Sequence, residues 1–205
     1  MPTVSRPVSF QLDRNLATLR HADGQRVAAL SFDAIHALHL ALIEQLGENA
    51  ADVLYRSGYE WALQDMIRFN RQLQQKLGDD TDLGQMDARF ILDSWWAPFA
   101  EAGWGTCTFD PAALARGIML VELRGSAVAP GFAGSDQPAC HLYAGLFAGA
   151  FSYFERTERH AAEMQCTACG AATCTFLVGP GADVDSAETQ RQRGAAPAEI
   201  LRQFR

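Results

Sequence analysis

The stretch EMQCTACGAATCTF, residues 163–176, constrains the fold most, because it places Cys166, Cys169 and Cys174 within nine residues. Three explanations fit such a cluster. Cys166 and Cys169 have the spacing of a thioredoxin-like redox pair, but that pair needs a helix after it to lower the thiol pKa, and GAATCTF indicates a turn and a strand. The thiols could also be buried side chains of a hairpin. The third explanation is a zinc site.

A zinc site requires one more ligand than the thiolates that this stretch supplies. Zinc takes four nitrogen, sulfur or oxygen ligands, and thiolates predominate where its role is structural. The other candidates are Cys140, His141, His160 and Glu163. Cysteines alone would complete the set if Cys140 joined all three cysteines of the cluster. The residues by themselves leave this choice open.

The composition excludes several classes of protein. The chain has 205 residues, 48% of them hydrophobic, and a net charge of −7. An acidic chain without a basic block is not expected to bind nucleic acid. No apolar run is long enough for a membrane span, and the first residues lack the apolar segment of a signal peptide. Clustered thiols without an export signal favour a reducing cytoplasm and metal or redox chemistry over disulfides.

The first half of the chain predicts a short hairpin followed by helices. Two strand-like runs flank Asp23-Gly24, a strong turn signal, so residues 8–30 are expected to form a β-hairpin. Helical periodicity then begins after a capping residue, Ser31 or Asp33, and stops at Gly47. A longer helix follows, either continuous or divided near Gly58. A third helical segment, residues 86–103, is expected to break at Pro98.

The second half predicts strands around one further helix. WGTCTFD and GIMLVELRGSAV are expected to be strands, and Pro138 is expected to open a helix in its first turn. On that helix Gly145 and Gly149 share a face, which indicates close approach of another backbone or of a ligand. HAAEMQC and TCTFLVG predict a closing hairpin around Gly170. Residues 181–205 are polar and are expected to form a mobile tail, in which a short helix could follow Pro197.

These motifs resemble a known family. The pattern Cys140…Glu163-x-x-Cys166-x₇-Cys174-x-Phe176, together with GYEWALQDM, WWAPFAEAGWG, ELRGSAVA and CHLYAGLFAGAFS, is similar to the 4-vinyl-reductase-type (V4R) domain. That domain occurs in the bacteriochlorophyll J protein and as the sensory module of phenol- and xylene-responsive activators. The resemblance extends from about residue 30 to residue 179. It implies three divisions: an N-terminal hairpin over 1–30, a V4R-like ligand-binding domain over 31–180, and the tail over 181–205.

The resemblance implies a zinc ligand set and a fold. The sensory modules bind zinc through a cysteine, a glutamate and two further cysteines, which correspond here to Cys140, Glu163, Cys166 and Cys174. Cys169 is then not needed, and a closed set of four ligands implies a structural rather than a catalytic zinc. Residues three apart on a flat strand face opposite sides, so Glu163 and Cys166 can share a metal only if the strand twists or ends near Gln165.

The implied fold is α+β, a small antiparallel sheet backed by helices with a zinc-stabilised C-terminal hairpin. It is similar also to core subunits of the eukaryotic vesicle-tethering complex TRAPP, and it implies an apolar cavity and a homodimer formed through helices. The phenol sensors hold the hydroxyl with a histidine and a tryptophan, and the matching positions lie near Phe99 and Leu123, which form no such bonds. A phenol ligand is therefore not expected. The expected ligand-binding wall is formed by Trp95, Trp96, Phe99, Trp104, Met119, Tyr143, Phe147 and Phe151.

Three functions follow as hypotheses. The first is a zinc-stabilised module that binds a small hydrophobic ligand, with the resemblance suggesting a tetrapyrrole and a carrier or assembly role in bacteriochlorophyll biosynthesis. The second is a vinyl reductase acting on a porphyrin. No G-x-G-x-x-G turn follows a strand, so no hydride source is indicated and enzymatic activity is the less favoured hypothesis. The third is a cytoplasmic sensor of small aromatic or hydrophobic molecules.

Overall fold

A three-stranded antiparallel sheet lies at the N-terminal end of the described chain. The computed structural model describes residues 10–21, 24–78 and 82–205. Strands β1 (Phe10–Asp13), β2 (Thr18–His21) and β3 (Arg26–Val27) pair in that order. The first predicted strand is thus two strands, because the Asp13 carboxylate accepts the N–H groups of Asn15 and Leu16 and turns the chain there. Residues 8, 9, 22 and 23 of the predicted hairpin lie outside the described residues.

Two helices follow, with the predicted boundaries. Helix α1 (Phe32–Leu46) begins after Ser31, whose hydroxyl accepts the Ala34 N–H, and ends at Gly47. Gly47 has a φ of 56°, in the region that favours glycine, and its N–H donates to the Ile43 carbonyl. Helix α2 (Asn49–Leu77) is continuous through Gly58. Of the two arrangements that the sequence allowed here, the single long helix is the one observed.

Helix α3 (Ala88–Glu101) contains Pro98, so the predicted break at that residue was wrong. The helix begins after Asp87, whose carboxylate accepts the Phe90 N–H. A proline removes one backbone hydrogen bond from a helix. Trp96 and Phe99, on either side of Pro98, are both buried, and we attribute the continuity of the helix to this packing.

The second sheet is the centre of the fold. Its strands are β4 (Thr106–Asp110), β5 (Met119–Arg124), β6 (His160–Gln165) and β7 (Cys174–Gly179). They lie in the order β4-β5-β7-β6, all antiparallel. Short 3₁₀ turns occupy 83–85, 114–116, 129–132 and 167–169. The predicted α+β fold, a small antiparallel sheet backed by helices, is confirmed.

Helix α4 (His141–Glu155) begins three residues after Pro138. The prediction that Pro138 lies in its first turn was therefore wrong. Cys140 is the N-cap residue: its carbonyl accepts the Ala144 N–H, and its own N–H donates to Glu163. The start of the helix is thus fixed by a contact with a strand that is distant in sequence, which local signals do not report.

Helices α2 and α4 cross so closely that only glycine fits at three positions. A Cβ atom at Gly145 would lie 1.9 Å from the Tyr55 carbonyl oxygen, and one at Gly149 would lie 2.4 Å from the Tyr59 oxygen. Gly58 faces the Leu142 oxygen at 2.1 Å in the same way. The glycine face of α4 therefore contacts a helix backbone, and not the sheet or a ligand cavity.

The C-terminal residues are folded, so the prediction of a mobile tail over 181–205 was wrong, whereas the short helix allowed after Pro197 is observed. Helices α5 (Gly181–Gln192) and α6 (Pro197–Arg202) cover the face of the sheet opposite to α4. This region has few apolar residues, but they lie on one side of each helix and are buried against the sheet. We call this set the second core: Ala113, Ile118, Leu120, Met164, Leu177, Val184, Ala187, Ile200, Leu201 and Phe204. The divisions at residues 30 and 180 remain predictions.

Alternation along the strands separates the two cores. Met119, Val121 and Leu123 of β5 face α3 and α4, whereas Leu120 faces α5 and α6. The main core lies between the sheet and helices α2, α3 and α4. Among the described residues, no helix combines the length and apolar character needed to cross a bilayer.

Candidate metal centre and aromatic core

Four side chains from three elements converge at one end of the second sheet. Cys140 caps α4, Glu163 lies on β6, Cys166 follows β6, and Cys174 begins β7. All four are buried, and one ligand atom from each lies within 4.8 Å of the others. We call this set the Cys₃Glu cluster. Its members are the residues implied by the resemblance, and this buried cluster could hold a metal ion.

A β-bulge brings Glu163 and Cys166 to the same face of the sheet. Glu163 pairs with Phe176, but Gln165 pairs with Thr175, so β6 contains one residue more than its partner between these positions. An extra residue reverses the alternation of faces beyond it. Cys166 therefore returns to the face of Glu163 and Cys174. The irregularity that the shared metal required near Gln165 is present.

The sulfur positions fit a tetrahedral ion. The Sγ atoms of Cys140 and Cys166 are 4.0 Å apart, and Cys174 Sγ lies 3.9 Å from each of them. A tetrahedral zinc with Zn–S bonds of 2.3 Å separates its sulfur ligands by about 3.8 Å. The three thiols thus already stand at the spacing of zinc ligands.

The Glu163 carboxylate supplies a fourth ligand atom that otherwise has no partner. Its Oε2 accepts the Cys140 N–H at 2.9 Å. Its Oε1 is buried and has no hydrogen-bond partner among the described residues. Leaving a buried oxygen unpaired is costly, and a cation beside the thiols would satisfy it.

The acid–base properties of the cluster indicate that it needs a counter-charge. Burial and the neighbouring Cys166 raise the pKa of Glu163 to about 8. Hydrogen bonds from Cys140 and Cys174 hold the pKa of Cys166 well below its usual range. Hydrogen bonding to Cys166 and Cys174 raises the pKa of Cys140. The site thus keeps protons on part of its donors. A divalent cation would replace those protons and allow all four donors to ionise.

Neighbouring donors support the sulfur atoms. The Thr167 N–H donates to Cys174 Sγ at 3.4 Å, and the Ser126 hydroxyl lies 3.4 Å from Cys140 Sγ. Helix α4 directs its N-terminus, the positive end of its dipole, at the cluster through Cys140. Sequence reasoning did not identify Ser126, because the run GIMLVELRGSAV predicts only a strand and a serine in it gives no sign of a nearby thiol.

The alternative ligands lie outside the cluster. Cys169 is exposed, and the three-residue turn that contains it ends at Gly170, where the chain enters a bend and then β7. No helix follows the Cys166-Cys169 pair, so the feature that activates a thioredoxin-like thiol is missing from this part of the described chain. His160 is exposed, and neither it nor His141 belongs to the converging set.

The eight residues of the expected ligand wall all lie in or against the main core. Trp95, Trp96 and Phe99 come from α3, and Tyr143, Phe147 and Phe151 come from α4. Trp104 follows α3 and is half-buried, whereas Met119 lies on β5. All of these rings except that of Phe151 form one network of contacts, with centroids 4.9 Å apart for Trp96 and Phe99 and 5.4 Å for Trp96 and Phe147. The Phe151 ring stacks on Phe154. We call these eight residues the aromatic cluster. Their role in ligand binding remains a prediction.

The polar side-chain atoms of Trp95, Trp96 and Tyr143 are already paired. The indole N–H of Trp95 donates to Asp65 at 3.0 Å, and that of Trp96 donates to the Gly105 carbonyl at 3.0 Å. The Tyr143 hydroxyl donates to the Trp104 carbonyl and accepts the Ala127 N–H. Sequence reasoning missed the contact of Asp65, because a carboxylate on an otherwise polar helix gives no sign of a buried partner.

The space inside the aromatic cluster is small. A cavity of about 10 Å³ lies between α3, α4 and the sheet. Four of the eight expected residues line it, and the other four, Trp96, Phe99, Trp104 and Tyr143, do not. The lining consists of Leu92, Trp95, Phe109, Met119, Val121, Phe147, Ala150, Phe151 and Val178. Such a volume holds at most one water molecule. The main core is closed in this state.

A larger groove, of about 480 Å³, lies at the far end of α4. Its walls are mostly polar and include Asn70, Gln74, Asp82 and Arg156. It does not coincide with the expected apolar cavity, because that cavity lies among the aromatic rings.

A comparison with protein families confirms the resemblance. Residues 119–180 match the V4R domain family. The V4R segment thus includes β5, α4, β6 and β7, and it contains all four members of the Cys₃Glu cluster. None of the curated proteins compared matches the sequence significantly.

Several solved structures are similar to this chain, and the first of them shares its fold. The phenol-responsive sensory domain of the transcription activator PoxR, solved with phenol, has a TM-score of 0.66 and 18% identity, over 89% of this chain and 92% of that one. A vinyl-4-reductase family protein from Methanocaldococcus jannaschii has a TM-score of 0.49 and 14% identity, over 74% and 82%. Subunit 3 of a trafficking protein particle complex from Naegleria fowleri, covalently bound to palmitic acid, has a TM-score of 0.49 and 11% identity, over 72% and 93%.

Proposed function

We propose that the chain is a zinc-stabilised domain that binds a small hydrophobic ligand inside the aromatic cluster and acts as a cytoplasmic sensor. The observation that carries the proposal is the aromatic-lined cavity between α3, α4 and the sheet. Support comes from the V4R match and from the fold shared with a phenol-responsive sensory domain. The free, clustered thiols favour a reducing compartment.

We assign zinc to the Cys₃Glu cluster. Three thiolates suit a borderline-soft ion such as zinc better than calcium or magnesium, which prefer oxygen. With Cys140, Cys166, Cys174 and Glu163 as ligands the coordination is complete, so the ion has no position for a water or substrate. Its role is therefore to join α4 to the β6–β7 hairpin, with a net charge of about −2 for the centre.

Metal content tests the zinc assignment. Wild-type protein is expected to contain one zinc per chain, and Cys174→Ser is expected to lose zinc and stability together, since metal binding is coupled to folding. Glu163→Gln should bind zinc more weakly. Cys169→Ser is the matched control, because Cys169 is exposed and outside the cluster. Emission spectrometry of the purified proteins measures all four, and loss of zinc in Cys169→Ser would refute the assignment.

The ligand proposed is small and lacks a hydroxyl group. A cavity that holds benzene has a volume of about 150 Å³, so even a single ring must displace side chains from the present 10 Å³. The donors of Trp95, Trp96 and Tyr143 are already paired, so a phenolic hydroxyl would gain no free partner from them. An aromatic hydrocarbon such as toluene or naphthalene meets both conditions.

A pair of alanine variants tests the location of the ligand. Ala150 lines the cavity, whereas Ala187 is equally buried in the second core on the other face of the sheet. Ala150→Leu fills the cavity and is expected to abolish toluene binding, measured by tryptophan fluorescence, whereas Ala187→Leu is expected to retain it. Near-ultraviolet circular dichroism verifies folding, and the pair Ala150→Val and Ala187→Val replaces the leucines if either fails to fold. Equal binding by the two members of a folded pair would contradict the proposal.

A tetrapyrrole carrier and a vinyl reductase remain the alternatives. A tetrapyrrole is several times larger than a single ring, so its binding would require a much larger opening of the main core. Spectral titration with a porphyrin would reveal binding of this kind. Consumption of NADPH with a divinyl porphyrin would reveal reduction, and that result would replace the sensor proposal with an enzymatic one.

We also propose that the domain forms a homodimer through α1. Most of the large apolar residues of this helix face outward: Phe32, Leu38, Leu40, Ile43 and Leu46 are exposed. A contiguous apolar surface of this kind is typical of an interface. A second copy of the chain is the occupant proposed, because α1 presents the same surface on both subunits of a two-fold dimer.

A further inference from the structure

Helix α5 lies outside the V4R match, yet it returns to the metal end of the sheet. It begins at Gly181 beside His160, where a Cβ atom would lie 3.2 Å from the imidazole, and it packs on β6 through Val184, Ala187 and Met164. From Gly181 to Arg191 a helix advances about 15 Å. From His160 to Gln165 a strand advances about 17 Å. Arg191 therefore lies level with the end of β6, where the Cys₃Glu cluster is.

The Arg191 side chain is mostly buried and is held in place. It is 17% exposed, and its Nε and Nη2 donate to the two carboxylate oxygens of Glu188 at 2.9 and 2.6 Å. Its Nη1 is directed at the Gln137 side-chain oxygen at 3.5 Å, three residues before Cys140. An arginine fixed by a two-pronged carboxylate bond is a rigid positive charge, unlike a mobile surface arginine.

The charge of Arg191 reaches the cluster. Glu188 is the main cause that raises the pKa of the Arg191 guanidinium, and Cys169 and Glu163 add to that effect. A centre with three thiolates and one carboxylate around a divalent ion keeps a net charge of about −2 in a buried position. The basic residue in the last turn of α5 also offsets the negative end of that helix, which faces the same region.

We propose that Arg191 is a positioning residue of the metal centre, which compensates its negative charge from α5. The inference rests on the proposed zinc site. Mutation of a residue that supports the metal ligands without binding the metal itself commonly lowers the metal affinity of the protein about 10- to 100-fold. The C-terminal helices would then serve the V4R segment as part of its metal site, in addition to covering the sheet.

The test is the zinc dissociation constant, measured on the full-length protein by competition with a chromogenic chelator. Arg191→Met removes the charge and keeps the aliphatic stem, and it is expected to weaken zinc binding about ten-fold. Arg191→Lys keeps the charge and is expected to stay within about three-fold of wild type. Arg193→Met removes an exposed charge two residues further on and should leave the affinity unchanged.

A control separates charge compensation from simple loosening of α5 and α6. Leu201→Ala weakens the second core without changing any charge. The proposal expects this variant to bind zinc as wild type does, even where its unfolding temperature falls below that of Arg191→Met. Cobalt(II) in place of zinc provides a second readout, because its thiolate charge-transfer bands should shift in Arg191→Met alone.

The outcomes are distinct. Zinc-loaded wild type with unchanged affinity in Arg191→Met overturns the inference and leaves the zinc site intact. Equal weakening in Arg191→Lys or in Leu201→Ala also overturns it, since the effect would then be structural. A wild-type protein that binds no zinc would overturn both the inference and the zinc assignment.

Discussion

His39 is a polar side chain that the fold buries. It is 4% exposed, on the face of α1 that packs against the 129–132 turn, and its ring lies 5.9 Å from that of Phe132. Its Nδ1 donates to the Ile35 carbonyl at 2.9 Å, whereas its Nε2 is buried without a hydrogen-bond partner among the described residues. Burial lowers the pKa of His39, and the nearby His36 adds to that effect. The imidazole is therefore neutral in the folded protein.

This histidine should make the stability depend on pH. The pKa of His39 is lower in the folded state than the usual value of about 6.5 in the unfolded chain. Its contribution to the free energy of unfolding is therefore complete above that pH. The contribution is lost as the pH falls below it, because the unfolded chain then binds a proton that the folded protein does not. The urea midpoint of the wild type is expected to be lower at pH 5.5 than at pH 7.5. In His39→Leu the fall should be smaller, although the lost hydrogen bond lowers the midpoint at both values.

His160→Gln is the matched control for this experiment, because His160 is exposed. Its midpoint should change with pH as that of the wild type does. If the curves of His39→Leu and the wild type run parallel, protonation of His39 does not oppose folding.

At the scale of elements, the crossing of helices α2 and α4 determines where glycine is required. Three glycines place the two backbones in contact, because any Cβ atom at Gly58, Gly145 or Gly149 would lie less than 3 Å from a carbonyl oxygen. Helix propensity favours alanine over glycine by about 1 kcal/mol, so these positions sacrifice local stability for the crossing. The crossing in turn fixes α4, which carries three members of the aromatic cluster and is capped by Cys140.

Substitution of Gly145 by alanine should therefore destabilise the protein. The methyl group would meet the Tyr55 carbonyl at 1.9 Å, and separating the helices to admit it is expected to cost about 3 kcal/mol, more than the gain in helix propensity. Chemical denaturation measures the change. Gly84→Ala is the control, since its nearest neighbour is the Asp82 side chain at 3.4 Å. Equal stability of Gly145→Ala and the wild type would show that the helices can separate without cost.

Helices α5 and α6 are a second example, since their removal exposes the back of the sheet. Truncation after Pro180 would uncover Leu120, Met164 and Leu177, all buried in the second core. The shortened protein is expected to bind a fluorescent hydrophobic dye and to unfold at a lower temperature than the full chain. An unchanged unfolding temperature would mean that residues 181–205 are dispensable for the V4R segment.

Across the molecular surface, the large exposed apolar residues are concentrated on α1. This helix buries Ile35 and His39, whereas Leu40 and Ile43 are 47% and 44% exposed. A helix of this composition packs poorly on its own subunit, because its more apolar residues face water. This apolar face of α1 is the surface that we propose for the dimer interface.

Light scattering should therefore give a dimer mass at micromolar concentration. The double variant Leu40→Glu, Ile43→Glu places charges at the proposed interface and should shift the protein to a monomer. Phe90→Glu is the control, because Phe90 is 56% exposed on α3, away from α1. A monomeric wild type, or dissociation in Phe90→Glu as well, would contradict an interface on α1.

The sequence alone indicated most of the strands and helices, and its resemblance to a known family indicated the members of the Cys₃Glu cluster. Helix caps such as Ser31 and the alternation in TCTFLVG are local signals, so they could be read without knowledge of distant contacts. The spacing of Cys140, Glu163, Cys166 and Cys174 was informative because it resembled that of a known family. What such signals report is the conformation of a short segment and the identity of its side chains.

Only the tertiary structure decided how those elements meet. The bulge that turns Cys166 toward Glu163 depends on the register against β7, and the burial of α5 and α6 depends on the back face of the sheet. The contact of α4 with α2 and the closure of the aromatic cluster likewise involve residues far apart in the chain. The stabilisation from such contacts is the sum of many small packing energies between distant segments, so the sequence of a single segment does not reveal it.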